Sequence, residues 1–201
     1  MMKSIVIISF IVLLILDAFL RRKQKNEKNK IEDELVGALL KKDYKKFDQL
    51  IDSEDAQRRI APFNRHYMKL NAAILRNKNI DTVLESFEKI KMNQAQKNEL
   101  YSKAFGYYVE KENKEKSSYY KDKILNDTKS ESLHEMANRM YSIYIDKSDM
   151  YLDILLKENE SLTGAKKASN DALLAKIYEN KKDNVNQEKY LNQFKEDMKG
   201  K

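Results

Sequence analysis

The sequence predicts an all-α chain: an N-terminal transmembrane helix followed by a right-handed α-solenoid of about five helical hairpins. Three observations predict it. Four glycines and one proline punctuate 201 residues of which 35% are charged, a composition that suits helices far better than sheets. Residues 4–20 are apolar but for one charge. From residue 32 onward, polar breaks recur every 34 to 36 residues between runs with apolar residues at helical spacing.

The first element is "SIVIISFIVLLILDAFL", Ser4 to Leu20, whose one charge is Asp17. About 17 to 20 apolar residues suffice to span a bilayer, and no core helix is apolar on every side over that length. Residues 1–20 are therefore expected to be a membrane anchor. A basic linker, residues 21–31, follows it and carries Arg21, Arg22, Lys23, Lys25, Lys28 and Lys30 against a lone Glu27. Only Lys3 and the amino terminus precede the apolar run. Positive flanks stay on the cytoplasmic side, so the remaining domain is expected in the cytoplasm. The basic run would then lie against the anionic leaflet, where it sets topology. The competing reading is a signal segment that is cleaved, with its apolar core at Ile5–Leu16, or retained with its amino terminus inside; either would place the domain outside the cytoplasm as an assembly factor.

The third element, residues 32–201, is the repeat domain. The formal charge of +7 resides mainly in residues 21–30, which carry +5 and leave the large domain at +2. That near balance disfavours nucleic acid as a partner. The polar breaks hold five candidate helix N-caps, Asp43, Asn79, Asn113, Ser148 and Asp183. Large residues precede them at Leu40, Ile74, Tyr108, Tyr144 and Tyr178, and small ones at Ala38, Ala72, Gly106, Ser142 and Ala175. A hairpin cannot bury its apolar face alone, whereas stacked copies bury it continuously. The small column is expected to let paired helices approach, and the large column to fill the space between hairpins. Leu100–Val109 is apolar on most sides and is expected either to lie mid-stack, packed on several neighbours, or to expose tyrosines along a groove. Residues 185–198 carry one apolar stripe, Tyr190, Leu191, Phe194 and Met198, as an end element should.

The stretch "LLAKIYENKKDNVNQEKYLNQF" resembles a tetratricopeptide repeat. Leu174 and Ala175 stand for its Leu-Gly pair, Tyr178 for its tyrosine, Lys182 and Asp183 for its Gly-Asp elbow, and Tyr190 and Phe194 for the aromatics of its second helix. "YSKAFGYYVEKENKEKSSYYKDKIL" and "MKLNAAILRNKNIDTVLESFEKI" are similar to it. The elbow glycine and the proline ending the second helix are missing; Pro62 falls between the first two copies. The resemblance implies a protein- or peptide-binding groove lined by the first helices. Some members clamp a terminal carboxylate there, but the matching positions here (Ala38, Ala72, Met68, Gly106, Ser142) are mostly small or apolar. Arg65, Arg76, Tyr101 and Asn138 are the candidate groove contacts.

No chemistry is legible. There is no cysteine, which removes disulfides and thiolate ligands. His66 and His134 lie 68 residues apart, and "HEMAN" has Asn138 where a zinc-protease helix needs its second histidine. No Gly-rich phosphate loop occurs. Adjacent acidic pairs such as Glu32–Asp33 and Glu196–Asp197 are expected to be solvated. The expectation is a membrane-anchored scaffold that binds a protein or peptide, with no catalysis and no cofactor. The alternative is a helical-repeat RNA binder, by analogy with the 35-residue hairpin readers.

Overall fold

The computed structural model describes residues 30–199, and among them the chain forms helices and no strand. The helices are α1 (Lys30–Leu40), α2 (Tyr44–Ile51), α3 (Glu54–Arg59), α4 (Pro62–Leu75), α5 (Asp81–Glu85), α6 (Gln94–Glu110), α7 (Lys114–Asp127), α8 (Glu131–Tyr144), α9 (Leu152–Asn159), α10 (Gly164–Asn180) and α11 (Asn184–Lys199). A 3₁₀ turn, Ser86–Lys89, continues α5. The chain divides into two compact units, with the boundary between Leu100 and Tyr101 inside α6. Among the described residues no helix is long and apolar enough to cross a membrane. The expected anchor (1–20) and the basic residues Arg21, Arg22, Lys23, Lys25 and Lys28 lie outside the described residues. Lys30, assigned above to the linker, opens α1 and is exposed.

The backbone has one period. Among the described residues five non-glycine residues adopt the left-handed conformation: Lys42, Asn77, Glu112, Lys147 and Lys182, with φ between 50° and 60°. Each follows the last by 35 residues. Each ends the first helix of a hairpin, giving the pairs α1/α2, α4/α5, α6/α7, α8/α9 and α10/α11. In four of them the next residue's N–H closes a six-residue ring onto the helix: Asp43 to Ala38 O, Lys78 to Ala73 O, Asn113 to Tyr108 O and Asp183 to Tyr178 O, at 2.8–3.0 Å. This is the Schellman stop, which satisfies helix carbonyls and favours glycine at the left-handed site. The fourth elbow is wider: Ser148 N–H reaches Ser142 O at 3.0 Å, and α9 begins only at Leu152.

This register explains the uneven cap spacing in the sequence. Asp43, Asn113 and Asp183 cap the second helices by accepting from Lys46, Lys116 and Asn186 N–H at 3.1 Å. In the second elbow the cap column holds Lys78. Asn79, one place later, makes only a short turn to Asp81 N–H at 2.8 Å. The helix that follows is accordingly brief. Pro62 is the first residue of α4, where its missing N–H is harmless. Asn93 and Gln96 exchange side-chain bonds with each other's N–H at 2.9 and 3.0 Å, a capping box that starts α6.

Both side-chain columns of the sequence reading drift against this register, and the structure corrects them. Leu40 is 62% exposed and fills no space between hairpins. A Cβ on Gly106 would meet nothing within 4 Å, so no close helix approach requires that glycine. The column that packs lies seven residues before each left-handed site: Leu35, Leu70, Phe105, Met140 and Ala175, all buried except the half-buried Met140. Of the two readings of α6 the packed one fits, with Leu100, Ala104, Phe105, Tyr107, Tyr108 and Val109 all buried and Tyr101 half-buried. α11 shows the expected single stripe, Tyr190 and Phe194 buried beside half-buried Leu191 and Met198. Asp197, expected to be solvated, is instead half-buried, as is Gln193.

Left-handed lysine and glutamate strain the elbows, because a Cβ in that region crowds its own carbonyl by roughly 1–2 kcal/mol. Lys182→Gly removes the clash while giving back some unfolded-state entropy. It is expected to stabilise the protein by about 0.5–1 kcal/mol, read as a raised urea midpoint at unchanged slope. Lys182→Val at the same site is expected to destabilise it.

Candidate functional site

In the first unit, residues 30–100, the second hairpin is fastened to α2 by Arg76. This residue caps α4, and its guanidinium donates to both Asp48 carboxylate oxygens at 2.9 and 2.6 Å and to Tyr44 O at 3.3 Å. It also sits 4.6 Å above the Tyr44 ring. Arg76 holds the Asp48 carboxyl below its ordinary value. A guanidinium engaged on two sides is a strut, and its Nε is buried without a partner. Arg65, eleven residues earlier on α4, reaches Gln57 O at 3.4 Å. That separation places the two arginines about 16 Å apart along the helix, so they do not form one clamp.

In the second unit, residues 101–199, Tyr101 is half-buried, with its ring 6.4 Å from Tyr120. Burial, then the nearby Asp127, raises its phenol above the ordinary value. Asn138 is half-buried on α8. The tyrosine pairs serve packing first. Tyr108 stacks on Tyr120 at 5.6 Å, and Tyr178 stacks on Tyr190 at 5.6 Å. Both partners recur after two periods, 70 residues, so this is one hairpin contact built twice. Tyr119 alone among them faces outward, at 55% exposure. Lysines cover several rings, the closest being Lys121, 4.5 Å from the Tyr141 centroid.

Successive elbows of this unit are tied by charge. Glu112 and Lys147, both left-handed elbow residues one period apart, pair at 2.7 Å. Lys176 of α10 adds to Glu112 at 3.1 Å. Asp149 pairs with Lys181 across the next two elbows. Beside these ties stand exposed apolar residues: Met150 (67%) and Val185 (80%) at the same place in successive repeats, and Ile154 (47%) one turn beyond Met150. Periodicity within single helices misses this edge, because the residues align only when the 35-residue register is known.

Each histidine is engaged within its own unit. His66 shares a bond with the Ser86 hydroxyl at 2.7 Å in the first unit, and burial lowers its pKa. His134 donates from Nε2 to Thr128 O at 3.1 Å in the second. Among the described residues no group of three or more histidines, cysteines or carboxylates could hold a metal ion. No protein-family model, no curated protein and no solved structure matches the chain.

Proposed function

We propose that this chain is a tetratricopeptide-like scaffold that binds a protein or peptide partner at a membrane surface, anchored through residues 1–20. The observation that carries the reading is the 35-residue recurrence of the left-handed elbow through five hairpins. Units of this kind stack their hairpins and use the extended surface to hold partners. The outward row Met150, Ile154 and Val185 supports it, since large apolar side chains on a charged surface favour a contact. Arg65, Tyr101 and Asn138 remain candidate contacts, whereas Arg76 is engaged internally. The anchor reading rests on the apolar run and its basic flank.

The test is proximity labelling from the full chain in its native membrane, beside a variant carrying Met150→Asp, Ile154→Asp and Val185→Asp. A labelled partner that falls at least tenfold in the variant, at unchanged melting temperature, supports the reading. Identical label sets count against this edge as the contact. The period of 35 also suits the helical RNA readers, and salt-sensitive RNA binding by the full chain would favour that alternative.

A further inference from the structure

The hairpin formed by α10 and α11 buries three oxygens that have no hydrogen-bond partner: Asp171 Oδ2, Gln193 Oε1 and Asp197 Oδ2. All three are acceptors. Asp171 is 0% exposed. An amide chain aims it. Asn170 donates to Leu155 O at 2.7 Å and to Asn159 Oδ1 at 3.2 Å, and Asn159 donates to Asp171 Oδ1 at 2.8 Å. With one oxygen satisfied from α9, the Asp171 carboxyl faces α11: the antiparallel register that stacks Tyr178 on Tyr190 sets Asp171 opposite Asp197, and Lys167, one turn before Asp171, lies 3.9 Å from Asp197 Oδ2. Gln193 carries an N–H₂ as well as its oxygen, so turning its amide exchanges an acceptor for a donor. The two aspartate oxygens have no such remedy, since ionised carboxylates only accept and repel at this range.

We propose that Asp171 and Asp197 share one proton, and that this proton latches the last turns of α11 onto α10. The proton sits on one Oδ2 and is donated to the other, satisfying both orphan acceptors at once. The groups facing the pair are Asn159 from α9, Lys167 from α10, and Tyr190 and Gln193 from α11. Lys167 Nζ is 3.9 Å from Asp197 Oδ2, an ion pair too long for a hydrogen bond. Burial, chiefly, and Asp197 raise the Asp171 pKa; Asn159 and Lys167 oppose them. A raised folded-state pKa gives stability that is full below the ordinary value of 3.8 and lost as pH rises through the folded value. The latch therefore closes in acid and loosens toward neutral and basic pH. Two carboxylates beside a lysine fit a proton better than a metal ion, which needs more oxygens.

The column register marks Asp171 as anomalous. Eleven residues before each elbow stand Ile31, His66, Tyr101 and Met136 in the other copies. A carboxylate in that column is the departure.

The test compares the full chain with Asp197→Asn and Asp171→Asn by thermal melting from pH 4 to 9, with ¹³C carboxyl titration of the wild type. An asparagine supplies a permanent N–H donor where the proton would be. Asp197→Asn is expected to melt close to the wild type at pH 4 and above it at pH 8. The ratio of their folding constants should grow by up to tenfold per pH unit between the ordinary aspartate value and the raised one. The wild type should show one aspartate titrating above the ordinary range, lost in Asp197→Asn. A pH-independent difference, or two aspartates titrating ordinarily, would overturn the proposal. So would a melting rise with Mg²⁺ or Ca²⁺ that only the wild type shows, which would assign the pair to a metal.

Discussion

Phe105→Ala is expected to destabilise the second unit by about 4 kcal/mol, the loss typical of removing a fully buried aromatic ring. Phe105 is one of the largest side chains with no exposure, and it anchors the cluster of Val109, Ile124 and Ala137. Its contacts come from three helices, α6, α7 and α8, so no single helix can move in to close the void. The size of the loss matters because small domains hold only about 5–15 kcal/mol in total. Urea unfolding followed by circular dichroism checks it. Phe105→Leu should lose about half as much. Tyr119→Ala, at an exposed position on α7, should stay within about 0.5 kcal/mol. Equal losses at Phe105 and Tyr119 would mean that hairpins three and four do not share this core.

The next largest effect is expected at Arg139. It bridges α8 to α9, with Nη1 on Glu158 Oε2 at 2.6 Å and Nη2 on Glu158 Oε1 at 2.7 Å. Glu135 on its own helix pairs with it as well. The guanidinium side chain is only 15% exposed. Arg139→Met keeps the apolar stem and deletes the fork. Charge-assisted hydrogen bonds are worth about 1.5–3 kcal/mol each, but both glutamates can regain water once released, so the net loss is expected near 2 kcal/mol. Lysine should not restore it, because one ammonium cannot span both carboxylate oxygens. The pH dependence has a definite sign. Arg139, through its hydrogen bond, lowers the Glu158 pKa below 4.5. The stabilisation is full above that ordinary value and lost as pH falls through the folded one. The gap between wild type and Arg139→Met should therefore shrink in acid. Asp197→Asn should also match the wild type in acid, but its gap opens upward as pH rises.

Much of the architecture was legible in the residues, and the misreadings have physical causes. The five elbows could be found because polar caps must satisfy helix N–H groups, and capping residues are few in kind. The period was blurred at Asn79 because an Asx turn uses the same residue type one place later. The side-chain columns drifted because a helix face admits neighbours at both three and four residues, so apolar residues alone do not fix a register to one position. The left-handed residue does fix it, yet lysine and glutamate at that site give no compositional warning. Of the four candidate groove residues, Arg76 proved internal because a carboxylate 28 residues away reaches it, a separation that no local pattern reveals. The acidic pair Glu196–Asp197 was misread for a related reason. Glu196 and Asp197 are neighbours in sequence, but Glu196 faces water and Asp197 turns inward.

By itself, then, the sequence determined the helical class, the number of hairpins and the near-neutral charge of the repeat domain. Those follow from composition, capping chemistry and a spacing that local hydrogen bonding enforces. The tertiary structure decided which residues hold the helices together: the buried Phe105 and the Glu112–Lys147 tie between hairpins, and the Arg139 fork and the facing Asp171 and Asp197 within them. Each depends on partners 19 to 35 residues away. Only the packing of helix on helix brings such partners within reach, and only burial makes their charge consequential.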